Sequence, residues 1–294
     1  MSFNVARAHP HAASRLILTL FVAVCFAVAA LAAAPHRIVS LSPNLTEILY
    51  GIGAFPQVAG VSDYCTYPPE AARLPSIGGW DSPSLEKLAA LRPDLAVVDD
   101  AEAPFIQDNF RKLGLRLLVL PARTVQDVYS AMAQLGKATG HEQDAAKLIA
   151  TTREGLARVA QKTAHLPHPR VVMIVDRTPG TLQQLYTATT GGFLAELVAI
   201  AGGQIAVPPA SGGYGKLSEE TLLAANPDVI LDFAHSYDGK MGGNPVDAWS
   251  EMAQLKAVRT HRVYAVNEDY VPHASQRMVL TAELFARLIH PEAR

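Results

Sequence analysis

The sequence predicts an α/β protein of two Rossmann-like lobes, each built around a central, mostly parallel sheet and joined by one long rigid helix. Three observations lead to this prediction. Short apolar runs alternate with amphipathic segments through both halves of the chain, a helical pattern continues from 142 to 165, and one helix–strand segment occurs twice. Strands that alternate with helices are typical of a parallel sheet covered on both faces.

The first half of the chain is predicted to alternate strands and helices from its first apolar run onward. The run at 37–41 is short and apolar, and Ser42 or Asn44 can cap the helix predicted at 45–50. Glycines and prolines separate the segments that follow. These are strands at 58–61, 95–98 and 115–120, and helices at 85–91, 105–113 and 125–136.

The segment 142–165 is predicted to be a continuous helix, about 36 Å long, that connects the lobes. Only Gly155 weakens it, by about 1 kcal/mol relative to alanine. This divides the chain into a first lobe at 35–140, a backbone helix at 141–166 and a second lobe at 167–294; the alternative is a core helix of one large domain. Steps of three and four place one stripe on the helix: Ala145, Leu148, Ile149, Thr152, Leu156, Val159, Ala160 and Thr163.

The second half repeats the scheme and contains a copy of a first-half segment. Residues 84–94 and 218–228 align without a gap, with Ser84 matching Ser218 and Glu86 matching Glu220, and an apolar strand follows each copy. A duplicated two-lobe architecture explains this match better than the independent occurrence, twice, of a common serine–helix–Pro-Asp–strand segment. The predicted elements are strands at 171–175, 229–231 and 263–266, and helices at 193–200, 219–225, 249–255 and 278–289.

Residues 1–34 have the layout of a cleaved secretory signal peptide. Arg7 and Arg15 precede an apolar run at 16–33 that ends in small residues. The alternative is a retained membrane anchor, since the run could just span a bilayer. Lipoprotein anchoring is not expected, because Cys25 follows Val24 where such signals need a small residue. Cleavage leaves Cys65 as the only cysteine, which excludes an intramolecular disulfide and a cysteine metal cluster.

Composition and motifs argue against several classes of function. A net charge of −2 without a basic run argues against nucleic acid as a partner. The chain lacks a dinucleotide loop, a phosphate loop, a nucleophile elbow and a zinc-protease helix. His235, His261 and His273 have no ligand spacing, so no metal or cofactor of the protein's own is expected. An exported hydrolase that uses Cys65 or a histidine remains an alternative.

Aromatic residues in predicted loops are the main candidates for binding. Loops at the strand ends of an open α/β sheet are where ligands bind, and aromatic rings there provide flat apolar area with a polar edge. Because they are divided between the lobes, they predict a cleft lined from both sides, although each ring alone is explained by loop packing. They are Tyr64, Tyr67, Trp80, Tyr214, Tyr237 and Tyr270.

Glu86 and Glu220 each lie one residue past the first position of a predicted helix. A carboxylate there meets the positive helix end, which is worth about 0.3–1 kcal/mol and explains either residue alone. As a matched pair, one per lobe, they would also present two acids that can dock on a basic partner.

Several stretches resemble the periplasmic iron-chelate and cobalamin binding proteins, and the resemblance is strongest to the cobalamin receptors. These proteins are the substrate receptors of ABC importers, of the class (class III) whose lobes are joined by a rigid helix. The resemblance covers nearly the whole chain after the predicted signal peptide, and it implies a periplasmic location. The segments that carry it are 37–47, 60–64 with 67–69, 91–95 and 191–203.

The resemblance implies roles for eight residues. Tyr64 and Trp80 match positions that contact corrinoid, and Glu86 and Glu220 match the acids offered to permease arginines. One departure is Asp99, which stands where a further tryptophan occurs in a cobalamin receptor. The second-lobe positions that match ligand contacts are Tyr186, Tyr214, Asp269 and His273.

The expected function is therefore capture of cobalamin or a related corrinoid in the inter-lobe cleft, without catalysis, and delivery to the permease. The implied partners are a permease dimer with its ATPase subunits, the protein itself being a monomer that meets the membrane only through the permease. The alternative is a heme or ferric-siderophore receptor, for which Tyr270 and His273 are candidate axial ligands. Because the connecting helix has no hinge, only a few degrees of lobe rotation are expected.

Overall fold

The computed structural model describes residues 34–79, 81–233 and 246–293. The chain divides into two units, residues 1–35 and 36–294, and the architecture below belongs to the second. Trp80 lies outside the described residues, and so do His235 and Tyr237.

The first lobe is built on a four-stranded sheet in the order β2-β1-β3-β4, in which every pairing is parallel. This confirms the parallel arrangement predicted from the alternation of strands and helices. The strands are β1 (Ile38–Ser40), β2 (Val58–Val61), β3 (Leu95–Asp99) and β4 (Leu117–Leu120). The helices are α1 (Pro43–Gly51), α2 (Leu85–Leu91), α3 (Ala103–Lys112) and α4 (Val125–Thr139), with 3-10 turns at Phe55–Gln57 and Pro69–Arg73.

The second lobe is built on a six-stranded mixed sheet in the order β10-β9-β5-β6-β8, with β7 also paired to β5. Strands β10, β9, β5 and β7 pair in parallel, whereas β6 pairs antiparallel with both β5 and β8. The short strands β6 to β8 were not predicted. The strands are β5 (Arg170–Asp176), β6 (Tyr186–Ala188), β7 (Gln204–Ile205), β8 (Tyr214–Lys216), β9 (Val229–Asp232) and β10 (Val263–Ala265).

The helices of the second lobe follow the prediction closely, with one exception. The segment predicted as a helix at 249–255 is a 3-10 helix at Asp247–Met252, followed by a separate short helix. The helices are α6 (Phe193–Ile200), α7 (Glu219–Ala225), α8 (Lys256–Arg259) and α9 (Met278–Ile289), with a 3-10 turn at Ser211–Gly213.

The predicted connecting helix is α5 (Glu142–Thr163), which has 22 residues. Leu156 and Val159 of its apolar stripe are buried, and the helix packs against both α4 and α9. Gly155, which weakens the helix locally, has a packing reason: a Cβ built there would lie 2.8 Å from both γ-carbons of Val279 in α9. The glycine therefore allows the two helices to approach closely.

One hydrophobic core runs through both lobes. It contains Leu45 and Met132 of the first lobe, Leu156 of α5, and Met173 and Phe285 of the second lobe. Two smaller cores cover the other faces of the two sheets. The lobes and α5 thus share their largest core, and the lobe boundaries predicted from the sequence stay predictions.

The repeated segment folds the same way in both lobes. The hydroxyls of Ser84 and Ser218 each accept a hydrogen bond from the backbone N–H three residues later, at 3.3 and 3.1 Å. Each helix then ends in a left-handed residue, Arg92 and Asn226 respectively. Each copy of the segment therefore begins with a serine cap.

The match extends to the strand that lies beside each copy. The Asp94 carboxylate accepts a hydrogen bond from the backbone N–H of Arg37 at 3.0 Å, and Asp228 does the same for Arg170 at 2.8 Å. Each aspartate therefore ties the end of the repeated segment to the first strand of its lobe. The two lobes share a local design as well as a topology.

Candidate ligand-binding cleft

The carboxyl ends of the parallel strands, where ligands bind in open α/β sheets, carry polar side chains in both lobes. In the first lobe Ser42 follows β1, Tyr64 follows β2, and Asp99 ends β3 with Glu102 just beyond. In the second lobe Arg177 follows β5, Asp232 ends β9, and the segment 269–277 follows β10.

Ser42, Asp99 and Glu102 form one cluster at the edge of the first sheet. Ser42 precedes α1, but its hydroxyl makes no capping bond; it hydrogen-bonds the Glu102 carboxyl and accepts from the backbone N–H of Asp99 at 2.9 Å. Burial, reinforced by the charge of Asp99, raises the pKa of Glu102 to about 8, and burial also raises the pKa of Asp99. Glu102 therefore holds a proton at neutral pH.

Cys65 lies beneath this edge and is only 5% exposed. Its sulfur is 3.1 Å from the Thr46 hydroxyl and 3.3 Å from the Ser62 hydroxyl. Burial raises the pKa of the thiol, whereas a nucleophilic cysteine needs a lowered pKa and access to solvent. The surroundings of Cys65 are those of a packed structural residue.

Tyr64 presents its ring at the surface of the first lobe, with 37% of the residue exposed. The ring lies beside Gly79, since a Cβ built on that glycine would be 3.8 Å from Tyr64 Cε2. Trp80, which the resemblance pairs with Tyr64 as a ligand contact, lies outside the described residues.

Tyr186 and Tyr214 are brought together by the antiparallel pairing of β6 with β8. Tyr186 pairs with Lys216 and Ala188 pairs with Tyr214, so the two tyrosines are diagonal neighbours on one face. The expectation that Tyr214 lies in a loop was wrong, because residues 214–216 pair with β6 and form strand β8. Burial raises the pKa of Tyr214 to about 12 and its hydroxyl is hydrogen-bonded to the backbone of Leu194, whereas Tyr186 is 39% exposed.

The segment 269–277 of the second lobe meets Glu47, which lies on α1 of the first lobe and is 1% exposed. His273 Nδ1 and Arg277 Nη1 each lie 2.8 Å from Glu47 Oε1, and the Ser275 hydroxyl donates to the other carboxylate oxygen. Gln276 Nε2 donates to the Glu47 carbonyl oxygen at 2.7 Å. Four neighbouring side chains of one lobe thus hold a single buried residue of the other.

Arg277 extends this network toward the outside. Its Nη2 lies 2.9 Å from Asp269 Oδ1, and its guanidinium carbon lies 4.3 Å from the ring centre of Tyr67 and 5.1 Å from that of Tyr270. The predicted contact residues Asp269 and His273 are therefore parts of an inter-lobe network. Neither Glu47 nor Arg277 was predicted as a site residue. The sequence feature that could have indicated Glu47 is that it is a single acid within the otherwise uncharged helix α1.

Arginines at the strand ends are paired with carboxylates of the same chain. Arg123 Nε lies 2.8 Å from Asp100, and Arg177 Nη2 lies 3.0 Å from Asp232. The second pair has fully buried side chains, and Trp249 Nε1 donates to the same Asp232 oxygen at 2.7 Å. Together with Arg277, three strand-end arginines have their positive charge balanced locally.

Glu86 and Glu220 occupy the predicted positions in the first turns of α2 and α7, and both are exposed. The turns differ in their neighbours, since exposed Leu85 precedes Glu86 whereas a second acid, Glu219, precedes Glu220. The two carboxylates thus stand on equivalent, solvent-facing helix ends, one in each lobe.

Two further properties concern the described part of the chain alone. Within it, histidine, cysteine, aspartate and glutamate side chains form no group of three or more that could hold a metal ion. No helix among the same residues is long and apolar enough to cross a membrane.

Comparison with known proteins places these features in a family context. The family model described as "Periplasmic binding protein" matches residues 38–270. A substrate-binding lipoprotein of an ABC transporter from Bacillus subtilis, YvrC, is 27% identical over 265 residues, covering 88% of this chain and 81% of that protein. A vitamin B12-binding protein from Pectobacterium atrosepticum is 25% identical over 259 residues, with 85% and 87% covered.

A solved structure extends the comparison to the fold. The periplasmic heme-binding protein RhuT from Roseiflexus sp. RS-1, in its apo form, superposes with a TM-score of 0.75 at 25% identity, covering 89% of this chain and all of that one.

Proposed function

The chain belongs to the periplasmic binding protein family, the substrate-binding proteins of ABC transporters, and on that premise we propose that it captures cobalamin or a related corrinoid between its lobes. It delivers this ligand to a permease dimer driven by ATPase subunits, and it carries out no catalysis. The ligand brings its own cobalt, so the protein needs no cofactor. A relative named for vitamin B12 binding, similar over most of both chains, supports this choice.

The observation that carries the corrinoid assignment is the charge at the strand ends. Arg123, Arg177 and Arg277 are each paired with a carboxylate of the chain, and Glu102 and Asp99 add acidic groups to the first-lobe edge. The periphery of a corrin ring carries neutral amides, which hydrogen-bond with carboxyl and hydroxyl groups. Heme carries carboxylates, and none of these three arginines is free to pair with them.

A heme receptor is the second candidate, and one observation favours it. His273 Nδ1 lies 2.8 Å from Glu47 Oε1, and a carboxylate on one ring nitrogen is the usual way in which proteins orient a histidine whose other nitrogen binds a metal. Tyr270, the other candidate axial ligand, lies against the Arg277 guanidinium instead.

The proposed location is the periplasm, reached through a cleaved signal peptide and without a lipid anchor. The relative YvrC is named a lipoprotein, so the mature amino terminus decides the point. Mass spectrometry of the exported protein is expected to show a chain that starts after the small residues near Ala34, and lipid attached to Cys25 would contradict the proposal.

Tryptophan fluorescence tests the ligand. The chain has two tryptophans; Trp249 is buried and bonded to Asp232, so titration with cyanocobalamin is expected to quench Trp80 selectively. The Trp80→Phe variant should lose the quenching signal while calorimetry still detects binding. Unchanged fluorescence and no heat at micromolar cyanocobalamin would contradict the corrinoid assignment.

Hemin provides the contrasting titration. A Soret shift that His273→Ala abolishes and Tyr270→Phe retains would establish the heme alternative through the histidine. Absence of a Soret shift, together with corrinoid binding, would dismiss it.

A further inference from the structure

Besides the connecting helix, a polar contact between Glu47 and the segment 269–277 holds the lobes together. The Glu47 carboxylate is buried in the first lobe, yet its hydrogen-bond donors come from residues 226 to 230 positions later in the chain. A buried carboxylate must find strong donors, since losing its hydration is unfavourable. Here the second lobe provides those donors, so lobe separation would leave Glu47 without its partners.

Arg277 is the residue of this contact that touches side chains of both lobes. Its Nη1 donates to Glu47 of the first lobe and its Nη2 donates to Asp269 of the second. The ring centres of Tyr67 and Tyr270 lie 4.3 and 5.1 Å from the guanidinium carbon. Tyr67 belongs to the first lobe and Tyr270 to the second. The guanidinium therefore lies between one tyrosine and one acid from each lobe.

A second contact lies elsewhere on the same interface. Glu196 of α6 in the second lobe accepts a hydrogen bond at 2.7 Å from the backbone N–H of Val125, which begins α4 in the first lobe. This contact adds to α5, the shared core and the Glu47 network in joining the lobes. A hinge needs residues that change φ and ψ freely, and rotation about α5 would break one or both carboxylate contacts.

We propose that Arg277 is a positioning residue that sets the orientation of the two lobes and hence the width of the ligand cleft. It acts through Glu47, Asp269 and the two tyrosine rings and does not itself need to touch the ligand. The assignment rests on the proposed function only in calling the inter-lobe space a ligand cleft. It also gives Asp269 and His273 a structural role in the protein without ligand.

The test measures the distance between the lobes directly in the protein without ligand. Spin labels are placed on cysteines introduced at exposed Gln107 of α3 and exposed Ala253 of the second lobe. The protein without its signal peptide keeps Cys65 as its native cysteine, and Cys65 is buried and stays unlabelled. Double electron–electron resonance then reports the distribution of distances between the two labels.

Three variants and one matched control separate positioning from simple destabilisation. Arg277→Lys keeps the charge but cannot bond both acids while lying flat between the rings. Arg277→Met leaves the buried Glu47 carboxylate without its arginine. The double variant Glu47→Gln/Arg277→Met removes both the negative and the positive charge of this pair and should fold. The control is Arg153→Met, which removes an arginine 4.6 Å from the ring of Tyr129 at the α4–α5 contact.

The double variant is expected to broaden the distance distribution, with Arg277→Lys intermediate and Arg153→Met unchanged even if it lowers the melting temperature. If the protein binds cyanocobalamin, the dissociation rate should rise about tenfold in the double variant. An unchanged distribution in the folded double variant would overturn the proposal. If the wild type does not bind cyanocobalamin and the double variant has a broadened distance distribution, the proposed ligand is overturned and the role of Arg277 stands.

Discussion

The carboxylate of Glu196 accepts a hydrogen bond from the backbone N–H of Val125 at 2.7 Å, so a side chain of the second lobe caps a helix of the first. Helix α4 also has its own capping box, in which Thr124 and Asp127 bond each other's backbone. The helix start is therefore stabilised from within the lobe and from across the interface.

Replacement of Glu196 by alanine should lower the free energy of unfolding by about 1–3 kcal/mol, since a charge-assisted bond and a favourable charge at a helix start are both lost. Glu196→Gln keeps an acceptor and should lose less. Urea denaturation measures both. Equal stability of the alanine variant and the wild type would show that the capping box alone is sufficient.

Gly155→Ala should destabilise the protein despite the better helix propensity of alanine. The added Cβ would lie 2.8 Å from the γ-carbons of Val279, and overpacking typically costs about 1–3 kcal/mol against a gain of about 1. Adding Val279→Ala should recover part of the loss relative to the sum of the two single changes. Thermal or urea unfolding of the four proteins gives this coupling, and additive effects would contradict the close contact.

Glu102 should make the wild-type protein less stable as the pH rises. Because burial raises the pKa of Glu102 from 4.5 to about 8, the folded state holds this proton more tightly than the unfolded state. The stability contributed by the proton is fully present below the unfolded pKa and is lost as the pH rises toward the folded one. Asp99, whose pKa is also raised by burial, acts in the same direction.

The Glu102→Gln variant has no titrating proton at this position. The difference in unfolding free energy between wild type and variant should therefore shift in favour of the variant from about pH 5 to about pH 8. Glu154→Gln, on the exposed face of α5, is the matched control and should follow the wild type. Parallel pH curves for wild type and Glu102→Gln would count against the raised pKa.

Replacement of both Glu86 and Glu220 by glutamine should weaken binding to the permease and leave ligand affinity unchanged. If they meet arginines of the permease, each loses a charge-assisted bond worth about 1.5–3 kcal/mol, whereas loss of the helix-end charge alone costs about 0.3–1 kcal/mol of stability per site. Pull-down of the permease and calorimetry with ligand are measured on the same protein.

Charge reversal sharpens this test. Lysine variants at both positions should bind the permease still more weakly, and arginine-to-glutamate changes in the permease should partly restore binding. Glu219→Gln, one residue away in the same turn of α7, is the control for position. Loss of ligand affinity with intact permease binding would mean that the pair faces the cleft.

Ligand binding should rotate the lobes by only a few degrees. The connecting helix α5 is continuous from Glu142 to Thr163, and the Glu47 and Glu196 contacts also join the lobes. Small-angle scattering with and without ligand should give nearly the same radius of gyration. A clear compaction on ligand addition would contradict this expectation.

The sequence predicts the limits of an element correctly where residues next to those limits determine them. Helices at 85–91 and 219–225 have the predicted limits because a capping serine starts each one and a left-handed residue ends it. Strands β6 and β8 have three residues each and exist through pairing with each other and with β5. Three residues carry no pattern that indicates which strand they pair with, so Tyr214 was expected in a loop.

The sequence by itself determined the order of strands and helices, the continuous helix between the lobes and the equivalent positions of Glu86 and Glu220, because each depends on residues within a few positions of one another. Only the tertiary structure decided what Glu47, His273 and Arg277 do. Glu47 and Arg277 lie 230 positions apart, and their partnership arises from the burial of one carboxylate against the other lobe. The raised pKa of Glu102 has the same origin, since loss of hydration depends on which groups fold over a side chain.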